Sequence, residues 1–97
     1  MNEKKLRKLL ENIEGYCIYR TWDIERVNRP NKSDVFKCTG VFTHENSGNI
    51  FFTVWIDESK PTSFRLTFLT QKDRKRADEY DARDYIRSTI AHTLKEA

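Results

Sequence analysis

The stretch Asn49–Asp57, reading NIFFTVWID, constrains the fold more than any other part of this chain. β-branched and aromatic side chains dominate it, which favours a pleated strand, and it is too short to span a membrane. One face of the predicted strand carries Phe52 and Val54. The other carries Phe51 and Trp55, so both faces are apolar. This pattern is typical of a central strand that is covered on both sides.

Three further segments have strand-like composition and are bounded by turn-forming residues. The four predicted strands are Tyr16–Val27, Asp34–Thr43, Asn49–Asp57 and Ser63–Thr70. The predicted links between them are Asn28–Ser33, His44–Asn49 and Glu58–Thr62, which are rich in Pro, Asn, Ser and Gly. The last strand alternates cleanly, with Phe64, Leu66 and Phe68 inward and Arg65 and Thr67 outward. The first strand alternates imperfectly, which predicts a bulge or a partly exposed edge. Gly40 in the second strand marks either a bulge or the close approach of a bulky neighbour.

Helices are predicted at the two ends of the chain. Residues 2–14 carry one apolar stripe, formed by Leu6, Leu9, Leu10 and Ile13. Residues 71–76 are predicted to be a basic connector, followed by one long helix over residues 76–94. The expected buried stripe of that helix is Ala82, Tyr85, Ile86, Thr89, Ile90, Thr93 and Leu94. Acidic residues at 78–84 are assigned to the start of the helix, where its dipole favours them.

The order of elements predicts an α+β fold in a single domain over residues 1–97. It consists of a four-stranded antiparallel β-meander flanked by an N-terminal and a C-terminal α-helix, α-β-β-β-β-α. The sequence leaves open which sheet face each helix covers. If both helices pack on one face, the other face is partly open and carries Lys37, Arg65 and the outward aromatic residues.

Length and charge limit the class of protein. At 97 residues the chain is long enough to bury a core without disulfide or metal support. It has 34% charged residues and a net charge of +3, so we expect a soluble, mildly basic protein without a membrane segment. Its charged N-terminal residues do not match a signal peptide, and the cytoplasm is the expected compartment. Cys17 and Cys38 are expected to be reduced packing residues, although a disulfide between them is left open.

The chain offers little that predicts catalysis or a cofactor. His44 and His92 have no metal-ligand spacing, and Cys38 alternates inward with Phe36 and Phe42. We therefore predict no catalytic residues, no metal and no cofactor. An enzyme or small-ligand binder remains the third hypothesis, with a pocket between the sheet and the C-terminal helix lined by Tyr85, Cys38 and Trp22.

Two basic clusters support nucleic-acid binding as the second hypothesis. Cations at the start of the N-terminal helix oppose its dipole, and cations at 72–76 lie near stackable rings in the chain. The residues predicted for such a site are Lys4, Lys5, Lys8, Arg65, Lys72, Arg74, Lys75 and Arg76. Solvated surface charge is the favoured explanation of both clusters.

The first hypothesis is a non-enzymatic protein-interaction or regulatory module that binds a protein partner or itself as a homodimer. It is supported by the number of apolar side chains in the sheet, which is more than two helices are expected to cover. The predicted interaction surface consists of Phe51, Trp55 and Leu69.

Overall fold

The computed structural model describes residues 3–11, 18–44, 48–79 and 82–95, with side chains for residues 3–8, 23–43, 48–79 and 82–95. Seven elements follow one another along these residues. They are α1 (Glu3–Glu11), β1 (Ile18–Val27), β2 (Val35–His44), β3 (Gly48–Asp57), β4 (Lys60–Phe68), α2 (Gln71–Glu79) and α3 (Ala82–Lys95).

The four strands form one antiparallel sheet in the order β1-β2-β3-β4, which confirms the predicted meander and the α+β class. The register of β1 on β2 shifts between Thr21 and Asp23, opposite Gly40 and Thr39. The predicted bulge is therefore present, and Gly40 lies opposite it. The β3–β4 turn is shorter than predicted because β4 begins at Lys60, leaving only Glu58 and Ser59 between the strands.

The hydrophobic core lies on one face of the sheet. The alternate residues of the strands that face inward include Ile24, Phe36, Cys38, Phe42, Ile50, Phe52, Val54, Ile56 and Leu66, with Phe64 and Phe68 packed against them. This confirms the inward positions predicted for β2, β3 and β4. Burying large side chains of this kind contributes roughly 1.5–3 kcal/mol each, so this face supplies most of the stabilising energy of the sheet.

All three helices contribute to that same core. Leu6 comes from α1, Ala77 from α2, and Ala82, Ile86, Ile90 and Leu94 come from α3. The described helices therefore form one layer on this face of the sheet, and none of them covers the other face of β3. The shortest dimension of the molecule, 20 Å, fits one layer of helices on one sheet.

The C-terminal third is two helices instead of a connector and one long helix. Residues 71–76, predicted to be a connector, form most of α2, which ends at Glu79, and α3 begins at Ala82. Asp78 and Glu79 consequently lie at the end of α2 and not at a helix start. The predicted stripe of α3 is largely buried, but Tyr85 is 42% exposed and does not belong to the core.

Other predictions differ from the structure mainly at element ends. The helix predicted over residues 2–14 is described over Glu3–Glu11, and the strand predicted from Tyr16 begins at Ile18. Cys38 is buried, as predicted, whereas Cys17 lies outside the described residues. Within the described residues, no helix is long and apolar enough to cross a membrane.

Candidate functional site on the open sheet face

The sheet face opposite the helices is formed by the side chains that alternate with the core residues. We call it the open face. Its rows follow from the strand register: Glu25 lies beside Lys37, Lys37 beside Trp55, and Trp55 beside Arg65. The next row is Asp23, Thr39, Thr53 and Thr67. A third row contains Val41 and Phe51, and the Leu69 N–H donates to the Phe51 carbonyl at 3.1 Å.

Trp55 stands at the centre of the first row between two cations. Lys37 Nζ is 5.3 Å and Arg65 Cζ is 5.4 Å from the centre of its ring. Because β2 and β4 flank β3 on opposite sides, the two cations approach the indole from opposite sides. Each such contact contributes about 0.5–1 kcal/mol at an exposed site, so together they hold the ring in place.

The apolar residues of the third row are the least protected large hydrophobic side chains of the open face. Phe51 is 37% exposed and Leu69 is 51% exposed. The predicted interaction residues Phe51, Trp55 and Leu69 thus lie on one surface of the molecule. Thr53 lies in the centre of the face, where flanking strands leave it only 4% exposed.

A polar cluster closes the open face at the end that holds the β3–β4 turn. The Asp57 carboxylate accepts hydrogen bonds from Arg29 Nη2 at 2.8 Å, from Ser33 Oγ at 2.6 Å and from the Ser59 N–H at 2.9 Å. The hydroxyl bonds from Ser33 and Ser59, followed by the Arg29 contact, lower the pKa of Asp57 well below its usual range. Asp57 therefore stays ionised and ties the β1–β2 loop to the β3–β4 turn.

Arg26 joins the same two turns from the edge of the core face. Its guanidinium donates to Asp34 Oδ2 at 2.7 Å and to Glu58 Oε2 at 3.1 Å. The hydrogen bond to Asp34 raises the pKa of Arg26, although burial acts in the opposite direction. These contacts fix the end of the sheet, next to a shallow depression of about 370 Å³ lined by Val27, Arg29, Val35, Trp55, Asp57, Ser63 and Arg65.

The basic residues predicted for nucleic-acid binding occupy three separate surfaces. Lys4, Lys5 and Lys8 are exposed on α1, which packs against β1. The cations at 72–76 lie on α2, which packs against β3 and β4. Arg65 lies on the open face, across the sheet from both helices. The structure therefore does not bring the predicted nucleic-acid site together into one surface.

Within α2 the cations have different environments. Lys72, Arg74 and Lys75 are exposed, whereas Arg76 is half-buried and forms an ion pair with the buried carboxylate of Asp73. Lys75 Nζ lies 3.9 Å from Glu79 Oε1. Two of the four cations of this cluster are therefore accompanied by acids of the same helix.

Of the residues predicted to line a pocket near the C-terminal helix, the structure describes the side chains of Cys38 and Tyr85, whereas that of Trp22 lies outside the described side chains. Burial raises the pKa of the Cys38 thiol to about 12, so it is protonated and inert at neutral pH. Tyr85 packs against Phe42, with ring centres 5.6 Å apart, and it does not line the depression described above. Among the described residues, no group of three or more His, Cys, Asp or Glu side chains is placed to hold a metal ion.

Some features of the site were missed by the sequence reasoning. The Arg29–Asp57 contact joins residues 28 positions apart, and it depends on two turns that meet only after the sheet forms. The buried Asp73 had a local signal, because Thr70 followed three residues later by Asp73 is the spacing of a capping box. No family model, no curated protein and no solved structure matches this chain.

Proposed function

We propose that this protein is a non-enzymatic interaction module that binds a protein partner through the open face. The observation that supports the proposal is the exposure of Phe51 and Leu69 beside the fixed ring of Trp55, on a face that no described helix covers. Rigid aromatic anchors surrounded by polar residues are the side chains that dominate binding energy at protein interfaces.

The electrostatics of the open face favour a protein over a nucleic acid. Asp23 and Glu25 lie on the same face as Lys37 and Arg65, and the register also places Arg20 there, so the acids offset most of the cations that phosphate binding would need. Both sides of the Trp55 ring are occupied by its cations. A stacked base would have to displace one of them.

Site-specific photo-crosslinking tests the proposal. A photoreactive amino acid is placed at Leu69 on the open face and, as a matched control, at Ser88, which is exposed on α3. We expect a discrete protein adduct from position 69 and none from position 88. The adduct should be lost when Phe51 is changed to Ser, because that change removes a neighbouring apolar anchor. Equal labelling from both positions, or none from position 69, would contradict the proposal.

Nucleic-acid binding by α2 alone is a second candidate, and the exposure of Lys72, Arg74 and Lys75 on one helix supports it. Anisotropy of a labelled oligonucleotide, measured at low and at physiological salt, tests it. Binding that weakens steeply with salt and is lost after Arg74→Ala and Lys75→Ala would favour this function. A flat titration at both salt concentrations would remove it.

A further inference from the structure

We propose, resting on the function proposed above, that the partner of the open face is a second copy of this chain. The two copies pack face to face about a two-fold axis that runs parallel to the strands, midway between β2 and β3. This proposal names the occupant of the face, and it is argued from the order of charges across the four strands.

Most charges of the open face lie near its two edges. The acids Asp23 and Glu25 are exposed on β1, where the register also places Arg20 beside Val41, and Arg65 is exposed on β4 at the other edge. A two-fold axis parallel to the strands places β1 of one copy over β4 of the other, and β2 over β3. Each copy therefore brings its acidic edge to the basic edge of the other.

In this dimer, the first row of one copy lies over the first row of the other copy, with the strand order reversed. Glu25 faces Arg65 of the second copy, and the same contact is repeated on the other side of the axis. Lys37 faces the outer edge of Trp55 of the second copy, since both sides of that ring are already occupied within its own chain. Such an interface is isologous, as the commonest homodimers are.

The other two rows are also compatible with this axis. Thr39 faces Thr53 of the second copy, where hydroxyl groups of the two chains can pair. Val41 faces Phe51, so the exposed aromatic ring meets an apolar side chain. A two-fold axis perpendicular to the strands would instead place β1 over β1, with the carboxylates of Asp23 and Glu25 close to their own copies. The first axis avoids this contact between the Asp23 carboxylates and places Glu25 opposite Arg65.

The size of the face is sufficient for a small interface. Four strands spaced by about 4.8 Å, with about eight residues at 3.4 Å each, give a face of roughly 500 Å² per copy. Two copies bury roughly 1,000 Å², which is near the lower limit of specific interfaces. We therefore expect a dimer that dissociates on dilution.

Two single charge reversals test the proposed contact between Glu25 of one copy and Arg65 of the other. Glu25→Arg places like charges at both edge contacts of its homodimer, and Arg65→Glu does the same. Sedimentation velocity should show the wild-type dimer and a rise in Kd of roughly tenfold or more for each variant alone. An equimolar mixture of the two variants should dimerise again, because each edge contact in the heterodimer then joins opposite charges.

Arg87→Glu provides the matched control. Arg87 also lies over an aromatic ring, with Cζ 5.8 Å from the centre of Phe64, but it is on α3 in the helical layer. This variant should dimerise like the wild type. Circular dichroism of all variants must match the wild type, which separates a lost interface from a lost fold.

The outcomes distinguish the two proposals. Restored dimerisation in the mixture supports both. A monomer at all concentrations, combined with a protein adduct of different mass from position 69, overturns the second copy and retains the interaction module. A dimer that is unaffected by either reversal overturns the pairing and places self-association on another surface. A monomer without any adduct from position 69 overturns both proposals.

Discussion

The buried carboxylate of Asp73 provides the sharpest test of the C-terminal part of the structure. Asp73 is 1% exposed, although it belongs to a helix whose composition is strongly polar. Its backbone N–H donates to Thr70 Oγ1 at 3.0 Å, and its carboxylate accepts from the Thr70 hydroxyl at 2.7 Å and from Arg76. We predict that Asp73→Ala lowers the free energy of unfolding far more than other changes of acidic residues on α2.

The expected magnitude combines three effects. A hydrogen bond to a charged group contributes about 1.5–3 kcal/mol, and removing one partner of a fully buried ion pair costs about 3–5 kcal/mol. The second figure is an upper limit here, because the Arg76 side chain is 25% exposed and water can solvate it. Alanine returns about 0.5 kcal/mol through its helix propensity. We expect a net loss of about 2–4 kcal/mol, which is a large part of the roughly 5–15 kcal/mol typical of a domain.

Urea unfolding followed by circular dichroism and tryptophan fluorescence measures this loss. In a thermal melt, the melting temperature should fall by about 8–32 °C, since about 1 kcal/mol shifts a domain of this size by 4–8 °C. Asp78→Ala is the matched control, because Asp78 is an exposed acid of the same helix, 4.0 Å from Arg83. It should change stability by less than about 0.5 kcal/mol. Equal effects of the two substitutions would refute the reasoning and the burial of Asp73.

Three further predictions concern the open face and the core. The pKa of Asp57 is lowered on folding, so its stabilising effect is present above the unfolded pKa of about 3.9 and is lost as the pH falls below it. The urea midpoint of the wild type should therefore fall between mildly acidic and strongly acidic pH. The fall should be smaller for Asp57→Asn, and an equal fall in both proteins would contradict this. In a Cys17→Ser background, Cys38 should react with a thiol reagent only after unfolding, because its pKa of about 12 and its burial keep it protonated and covered. Arg65→Ala should lower the free energy of unfolding by about 0.5–1 kcal/mol through the lost contact with Trp55, and Arg65→Lys by less; urea unfolding that ranks them in the opposite order would argue against that contact.

The sheet could be predicted from the sequence because its signals are local. Alternation of apolar residues and turn-forming links identified every strand within a few residues, and Gly40 pointed to the irregularity between Thr21 and Asp23. The helix α2 could not be found in this way. It buries only Ala77 and Asp73, so it has no apolar stripe for a periodicity argument to detect. The capping relation of Thr70 and Asp73 was the available signal.

The candidate site was partly predictable for a related reason. Phe51, Trp55 and Leu69 stood out because a sheet with few helices has difficulty covering two apolar faces. Their neighbours depend on strand register, which composition does not determine. Lys37 and Arg65 are 28 residues apart in sequence, and only the register of β2, β3 and β4 places them on either side of Trp55. For the same reason, the sequence did not show that the basic clusters lie on separate surfaces, since no local pattern indicates which sheet face a helix covers.

The two edges of the sheet are protected against pairing with a strand of another chain, and this bears on how the protein associates. An exposed strand edge invites pairing with another chain, and natural proteins oppose it with bulges, prolines and lysines. Here β1 contains a register shift and β4 begins with Lys60 and Pro61. Extension of the sheet through either edge is thereby disfavoured. On the open face, Phe51 and Leu69 remain 37% and 51% exposed. Association through the face buries these side chains and leaves both edges as they are, which favours a closed pair over an extended assembly.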